Sequence, residues 1–90
     1  MITSSVFTLD ETTPTKVVEP STLPQEVHLH NATKSSNEYV FIGKSNVTTT
    51  TGLHLDPGES KVMQLMPNDE LWAVSDPDGL VLQVLTVRQN

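Results

Sequence analysis

The chain has 90 residues, a formal net charge of −6 at pH 7 and no cysteine. A length of 90 residues makes one domain, and it buries only about 60–65% of the surface its unfolded form exposes, so the core is modest. Without cysteine, neither disulfides nor thiolate metal sites reinforce that core, which leaves oligomerisation as the remaining source of stability.

The charge excludes more. Nucleic-acid affinity rests on lysine and arginine neutralising phosphates, and here only Lys16, Lys34, Lys44, Lys61 and Arg88 are basic and they are scattered. An anionic membrane surface is disfavoured for the same reason. No apolar run reaches the roughly 20 residues that span a bilayer. Residues 1–10 carry no basic region followed by an apolar stretch, so the expectation is a protein made in the cytoplasm without a secretory signal.

Residues 1–25 are rich in threonine and proline and poor in bulky apolar groups. Such a segment offsets its ordering entropy poorly. It is expected as an extended arm or as edge strands, with weak strands at residues 5–9 and 16–19. Residues 26–90 then form the β domain.

Within that domain, residues 26–31 alternate, with Val27 and Leu29 on one face and His28 and His30 on the other. Residues 38–43 hold Tyr39, Val40, Phe41 and Ile42, apolar on both faces. The four threonines Thr48 to Thr51 read as compositional bias. A weak strand at residues 52–55 precedes the turn Asp56-Pro57-Gly58.

Residues 60–66 alternate, and residues 70–74 hold Leu71, Trp72 and Ala73. Pro67-Asn68-Asp69 and Asp76-Pro77-Asp78-Gly79 read as hairpin connections, since proline presets φ and glycine supplies positive φ. The last strand, residues 80–88, is almost continuously apolar.

Seven or eight short strands at such spacing predict an all-β, antiparallel sandwich of jelly-roll type. Its expected core is Val27, Leu29, Val40, Ile42, Leu55, Val62, Leu65, Leu71, Ala73, Leu82 and Val84. Trp72 reads as a further core anchor.

Chemistry-bearing patterns are few. His28 and His30 share a strand face and, with His54 and Glu38, suggest a cupin-like metal set. Glu38 follows His30 by eight residues rather than about four, and His54 precedes its proline-glycine turn, so solvent-facing histidines are the better reading and no cofactor is expected. The carboxylates Asp56, Glu59, Asp69, Glu70, Asp76 and Asp78 fall mostly in turns, where aspartate bonds its own backbone. Neither G-x-S-x-G, a P-loop nor G-x-G-x-x-G occurs. The chain reads as non-enzymatic.

The informative feature is apolar excess in the last strand. Leu80, Leu82 and Val84 line one face, while Val81, Leu85 and Val87 line the other around Gln83. A strand with one face in water alternates more cleanly. Either the strand is central with its outer face covered within the sandwich, or that face meets another subunit; the second is favoured, which makes Val81, Leu85 and Val87 the candidate oligomer interface, with a trimer favoured.

From Val27 onward the order of turns and strands resembles small β-sandwich proteins of tailed-phage virions. The residues carrying this are Val27 to Asn31, Tyr39 to Gly43, Gly52 to Leu55, Pro57-Gly58-Glu59, Leu71-Trp72-Ala73-Val74 and the valine-rich residues 80–87. The resemblance covers about two-thirds of the chain and implies a virion structural protein. Head decoration or a minor capsid role is favoured, bound to the major capsid protein on the capsid surface. The alternatives are a fibre or tail module that binds host glycans, with Trp72 and Tyr39 as aromatic candidates, and a cupin-like metal-binding protein.

Overall fold

The computed structural model describes residues 1–88. Gln89 and Asn90, which the sequence assigns to the β domain, lie outside the described residues. Eight strands run β1(Ile2–Thr8), β2(Thr15–Val18), β3(Gln25–Asn31), β4(Tyr39–Gly43), β5(Leu53–Leu55), β6(Ser60–Leu65), β7(Leu71–Asp76) and β8(Val81–Arg88). They form two antiparallel four-stranded sheets, ordered β1-β8-β3-β6 (sheet A) and β2-β7-β4-β5 (sheet B). This is a jelly roll, 39 × 24 × 17 Å across. The described residues contain no helix, and so none long and apolar enough to cross a membrane.

The topology corrects the expected hairpins. Of consecutive strands, only β4 and β5 pair with each other. The Pro67-Asn68-Asp69 and Asp76-Pro77-Asp78-Gly79 turns carry the chain from one sheet to the other. Gly79 supplies positive φ as read, at 87°, whereas in the first turn, which has no glycine, Asn68 does so at 70°. Turn residues fix how sharply the chain reverses, not which strand receives it.

The core lies between the sheets. Val27 and Leu29 of β3, Leu82 and Val84 of β8, Val40 and Ile42 of β4, and Leu71 and Ala73 of β7 are buried there, with Leu55 and Leu65. Val62 is the exception: it is 58% exposed. Leu65 is buried and Met63 packs against the core, so the period-two alternation of a strand turns Val62 outward.

Residues 1–25 supply an edge strand to each sheet, β1 beside β8 and β2 beside β7. Leu9, Val17 and Val18 belong to the core cluster, and Phe7 packs against it. Leu9, Val17, Val18 and Phe7 point inward, whereas Met1, Ile2, Val6 and Leu23 are exposed.

Two buried amides bracket β3. Gln25 Nε2 donates to Glu19 O at 3.0 Å. Asn31 Nδ2 donates to Glu38 O at 3.0 Å and to Leu55 O at 3.1 Å. Its Oδ1 accepts from the Thr33 hydroxyl at 2.8 Å. Buried polar groups persist where they are bonded in this way.

Candidate functional site: the outer face of sheet A

The antiparallel registers place side chains on the outer face of sheet A in rows. Ile2, Val87, Glu26 and Gln64 form one row; Ser4, Leu85, His28 and Val62 the next; Val6, Gln83, His30 and Ser60 the third. Ile2 is 67% exposed and Val6 66%. An open groove of about 530 Å³ crosses the face, bounded by Val6, His28, Val62 and Leu85 among others.

Sequence reasoning places Val81, Leu85 and Val87 on one face, and they lie together on this side of β8, half-buried. It does not anticipate that β1 and β6 add Ile2, Val6 and Val62. Those residues belong to strands that join only in the folded sheet, and no spacing within the chain signals them.

The two histidines of the face have local partners. His28 Nε2 lies 2.8 Å from Glu26 Oε2, and His30 Nδ1 lies 2.8 Å from Ser60 Oγ. The face thus sets apolar Ile2, Val6, Val62, Leu85 and Val87 among polar side chains.

The cupin-like metal set, the less favoured reading of the histidines, does not assemble. His28 and His30 project from sheet A, whereas His54 lies on sheet B, packing against Tyr39 with ring centroids 5.9 Å apart. His54 Nε2 is 3.3 Å from Asp56 Oδ1. Among the described residues, no three His, Asp or Glu side chains gather as a metal set. The inward positions of β3 are Gln25, Val27, Leu29 and Asn31, so the interior that a cupin uses for its metal is filled.

Trp72 is likewise not a core anchor. It lies half-buried on the outer face of sheet B, opposite Lys16 and Gly43. Lys16 Nζ sits 5.6 Å from its ring centroid, and Trp72 Nε1 donates to Glu70 Oε1 at 2.9 Å. Tyr39 pairs with Asp76 at the far end of the β4–β7 ladder from Trp72. The two aromatics proposed for glycan binding therefore do not form one platform.

Part of sheet B's outer face is covered by the chain itself. Val74 is fully buried and Val47 is 4% exposed, although neither joins the core between the sheets. A Cβ on Gly52 would meet Val47 Cγ2 at 2.8 Å and Phe41 Cβ at 2.7 Å, and one on Gly43 would meet Val47 Cγ2 at 3.0 Å. The β4–β5 segment thus folds down onto β4, and its two glycines make room for that approach. The Thr48 to Thr51 run tightens the segment: Thr48 N donates to Thr51 Oγ1 at 3.0 Å, and Gly52 N to Thr48 O at 3.0 Å.

No family model and no curated protein matches the sequence. Among solved structures, the fold is similar to a chain from Bacillus endospore appendages, described as a novel family of disulfide-linked pili. The TM-score is 0.66 at 11% identity, covering 100% of this chain and 85% of that chain. At that identity the likeness establishes a shared small all-β fold.

Proposed function

We propose that this chain is a non-catalytic structural subunit that buries the outer face of sheet A in a larger protein assembly. The carrying observation is that exposed face, where Ile2, Val6 and Val62 are all more than half exposed around Leu85. Monomeric proteins seldom leave contiguous apolar area of this kind in water. Burying it would add to a core that 90 residues keep small.

In its specific form, the subunit decorates a phage head. The order of turns and strands from Val27 onward supports this, and the partner is the major capsid protein, with three-fold docking favoured. A module that binds the assembled shell but not loose subunits stabilises the shell by mass action. A second reading, a subunit of a surface filament, has the fold neighbour in its favour. The disulfide linkage of that neighbour does not carry over, because this chain has no cysteine.

Immunogold labelling of phage particles and surface appendages from the strain encoding the chain separates the readings. Gold on phage heads is expected; gold along filaments replaces decoration with the second reading. Leu85→Asp should leave the domain folded by circular dichroism and lower its recovery on purified particles at least tenfold. Particle binding unchanged by Leu85→Asp would overturn the assignment of this face.

A further inference from the structure

We propose that β1 is a self-pairing edge, through which two copies of the chain join antiparallel and merge their two A sheets into one. The inference stands on strand edges and does not depend on what covers the outer face.

The sandwich has four edge strands: β1, β6, β2 and β5. Natural edges avoid unwanted pairing by being short, by carrying lysine or inward-pointing charge, by proline, or by a bulge. Three edges here have such devices. The β2 edge has four residues, contains Lys16, shifts register between Lys16 and Val18, and lies between Pro14 and Pro20. Only three residues make up β5, and Asp56-Pro57 follows at once. On β6, Lys61 lies on the same strand side as Met63 and Leu65, which makes it an inward-pointing charge.

In contrast, β1 spans seven residues, Ile-Thr-Ser-Ser-Val-Phe-Thr, with no charge and no proline. Its bonding to β8 leaves one side free. Met1 and Arg88 exchange both backbone bonds, at 2.9 and 2.8 Å, and Leu9 N donates to Leu80 O at 2.9 Å. Hydrogen-bonded pairs alternate along an antiparallel ladder, so Thr3, Ser5 and Phe7 also bond to β8. The backbone groups of Ile2, Ser4, Val6 and Thr8 point away from it.

A second copy fits this edge. With Ser5 facing Ser5 of the second copy, all seven residues pair. Ile2 then opposes Thr8, Thr3 opposes Phe7, and Ser4 opposes Val6. Small and β-branched residues meet one another except where Thr3 faces Phe7, and no charge opposes a like charge. In a chain of net charge −6, that neutrality favours self-association at this edge. The exposed Ile2 and Val6 then become neighbours of the second copy's side chains instead of edge residues in water.

The absence of native cysteine gives a clean test. Facing residues in a non-hydrogen-bonded pair lie about 4.5 Å apart at Cα, within the range a disulfide spans. Under mild oxidation, Ser5→Cys should form a covalent dimer at least tenfold faster than Thr3→Cys, which lies opposite Phe7. Adding Ser4→Pro to Ser5→Cys should abolish the advantage, because it blocks the edge without removing a bond to β8. If circular dichroism shows that Ser4→Pro unfolds, Ser4→Lys should suppress crosslinking in the same way. Leu85→Asp should leave Ser5→Cys crosslinking unchanged, which separates this proposal from the assembly role of the sheet face. Equal crosslinking rates for the two cysteines would overturn the proposal. So would wild-type protein that sediments as a monomer at millimolar concentration, with Ser4 and Val6 amide exchange independent of concentration.

Discussion

The two outer faces of this sandwich begin from similar material and end differently. Both sheets carry apolar residues outward: Val74 and Phe41 on sheet B, Leu85, Val62, Val6 and Ile2 on sheet A. Sheet B is covered in part by its own chain: Val47 and Gly52 come down on β4, and Val74 is fully buried. Among the described residues, sheet A has no such cover. The comparison teaches that outward apolar residues in a β-sandwich do not by themselves mark an interface. What distinguishes the two faces is whether a connection is long enough, and small enough at its contact points, to lie across the sheet.

The sharpest way to break the comparison is to place the same charge on each face. Val74→Asp should cost about 3 kcal/mol or more, because an unpaired carboxylate would be buried. Leu85→Asp should cost about 1 kcal/mol or less, its replacement being able to reach water. Chemical denaturation measures both, and equal losses would erase the distinction between covered and bare faces. The cover itself is tested next. Val47→Ala should lose about 2 kcal/mol through the cavity it leaves. Gly52→Ala should lose about 1–3 kcal/mol by forcing the segment off Phe41. The smallest effect belongs to Val62→Ser, which should stay within about 0.5 kcal/mol of wild type. It should also reduce binding of an apolar dye to the native protein, as fluorescence titration would show.

Much of the strand pattern is legible along the chain. Alternation in β3, the two-sided apolar run in β4 and the valine-rich β8 follow from period-two burial, and proline, asparagine and glycine mark the turns between them. The sheet membership of each strand is not legible. β6, β7 and β8 look like a meander, yet successive strands alternate between sheets. That choice is made by long-range packing of Leu71, Leu80 and Leu82, which no local spacing encodes. The N-terminal segment is legible only in part. Low apolar density leaves an extended arm and edge strands as alternatives, and it gives no sign that Leu9, Val17 and Val18 each occupy a core position.

The candidate site divides along the same line. Val81, Leu85 and Val87 are visible as a group because they share one strand. Ile2, Val6 and Val62 join them only when β1, β8, β3 and β6 align. The histidines show the converse. His28 and His30 are correctly read as sharing a face, but His54 is separated from them by the whole thickness of the sandwich. The Thr48 to Thr51 run looks like bias in composition, although its hydroxyls bond the segment that covers part of sheet B. The signal that could have found this cover is the pair Gly43 and Gly52 flanking a single valine.

The amides at the two ends of β3 bear on a problem that alternation leaves open. A one-residue slip exchanges the faces of a strand and is forbidden by burial, but a two-residue slip preserves the inward and outward sets. Val27 and Leu29 are close enough in size that hydrophobic packing alone would discriminate weakly between such frames. Gln25 and Asn31 remove the degeneracy. A slip of two residues toward either end would carry both amides away from Glu19 O and from Glu38 O and Leu55 O, and would set Leu23 or Val27 against the carbonyl that Gln25 abandons. Because Glu19 precedes the strand and Leu55 belongs to the opposite sheet, these bonds index β3 against its surroundings as well as its neighbours. A two-stranded ladder can be read in several frames; this one is keyed at both ends.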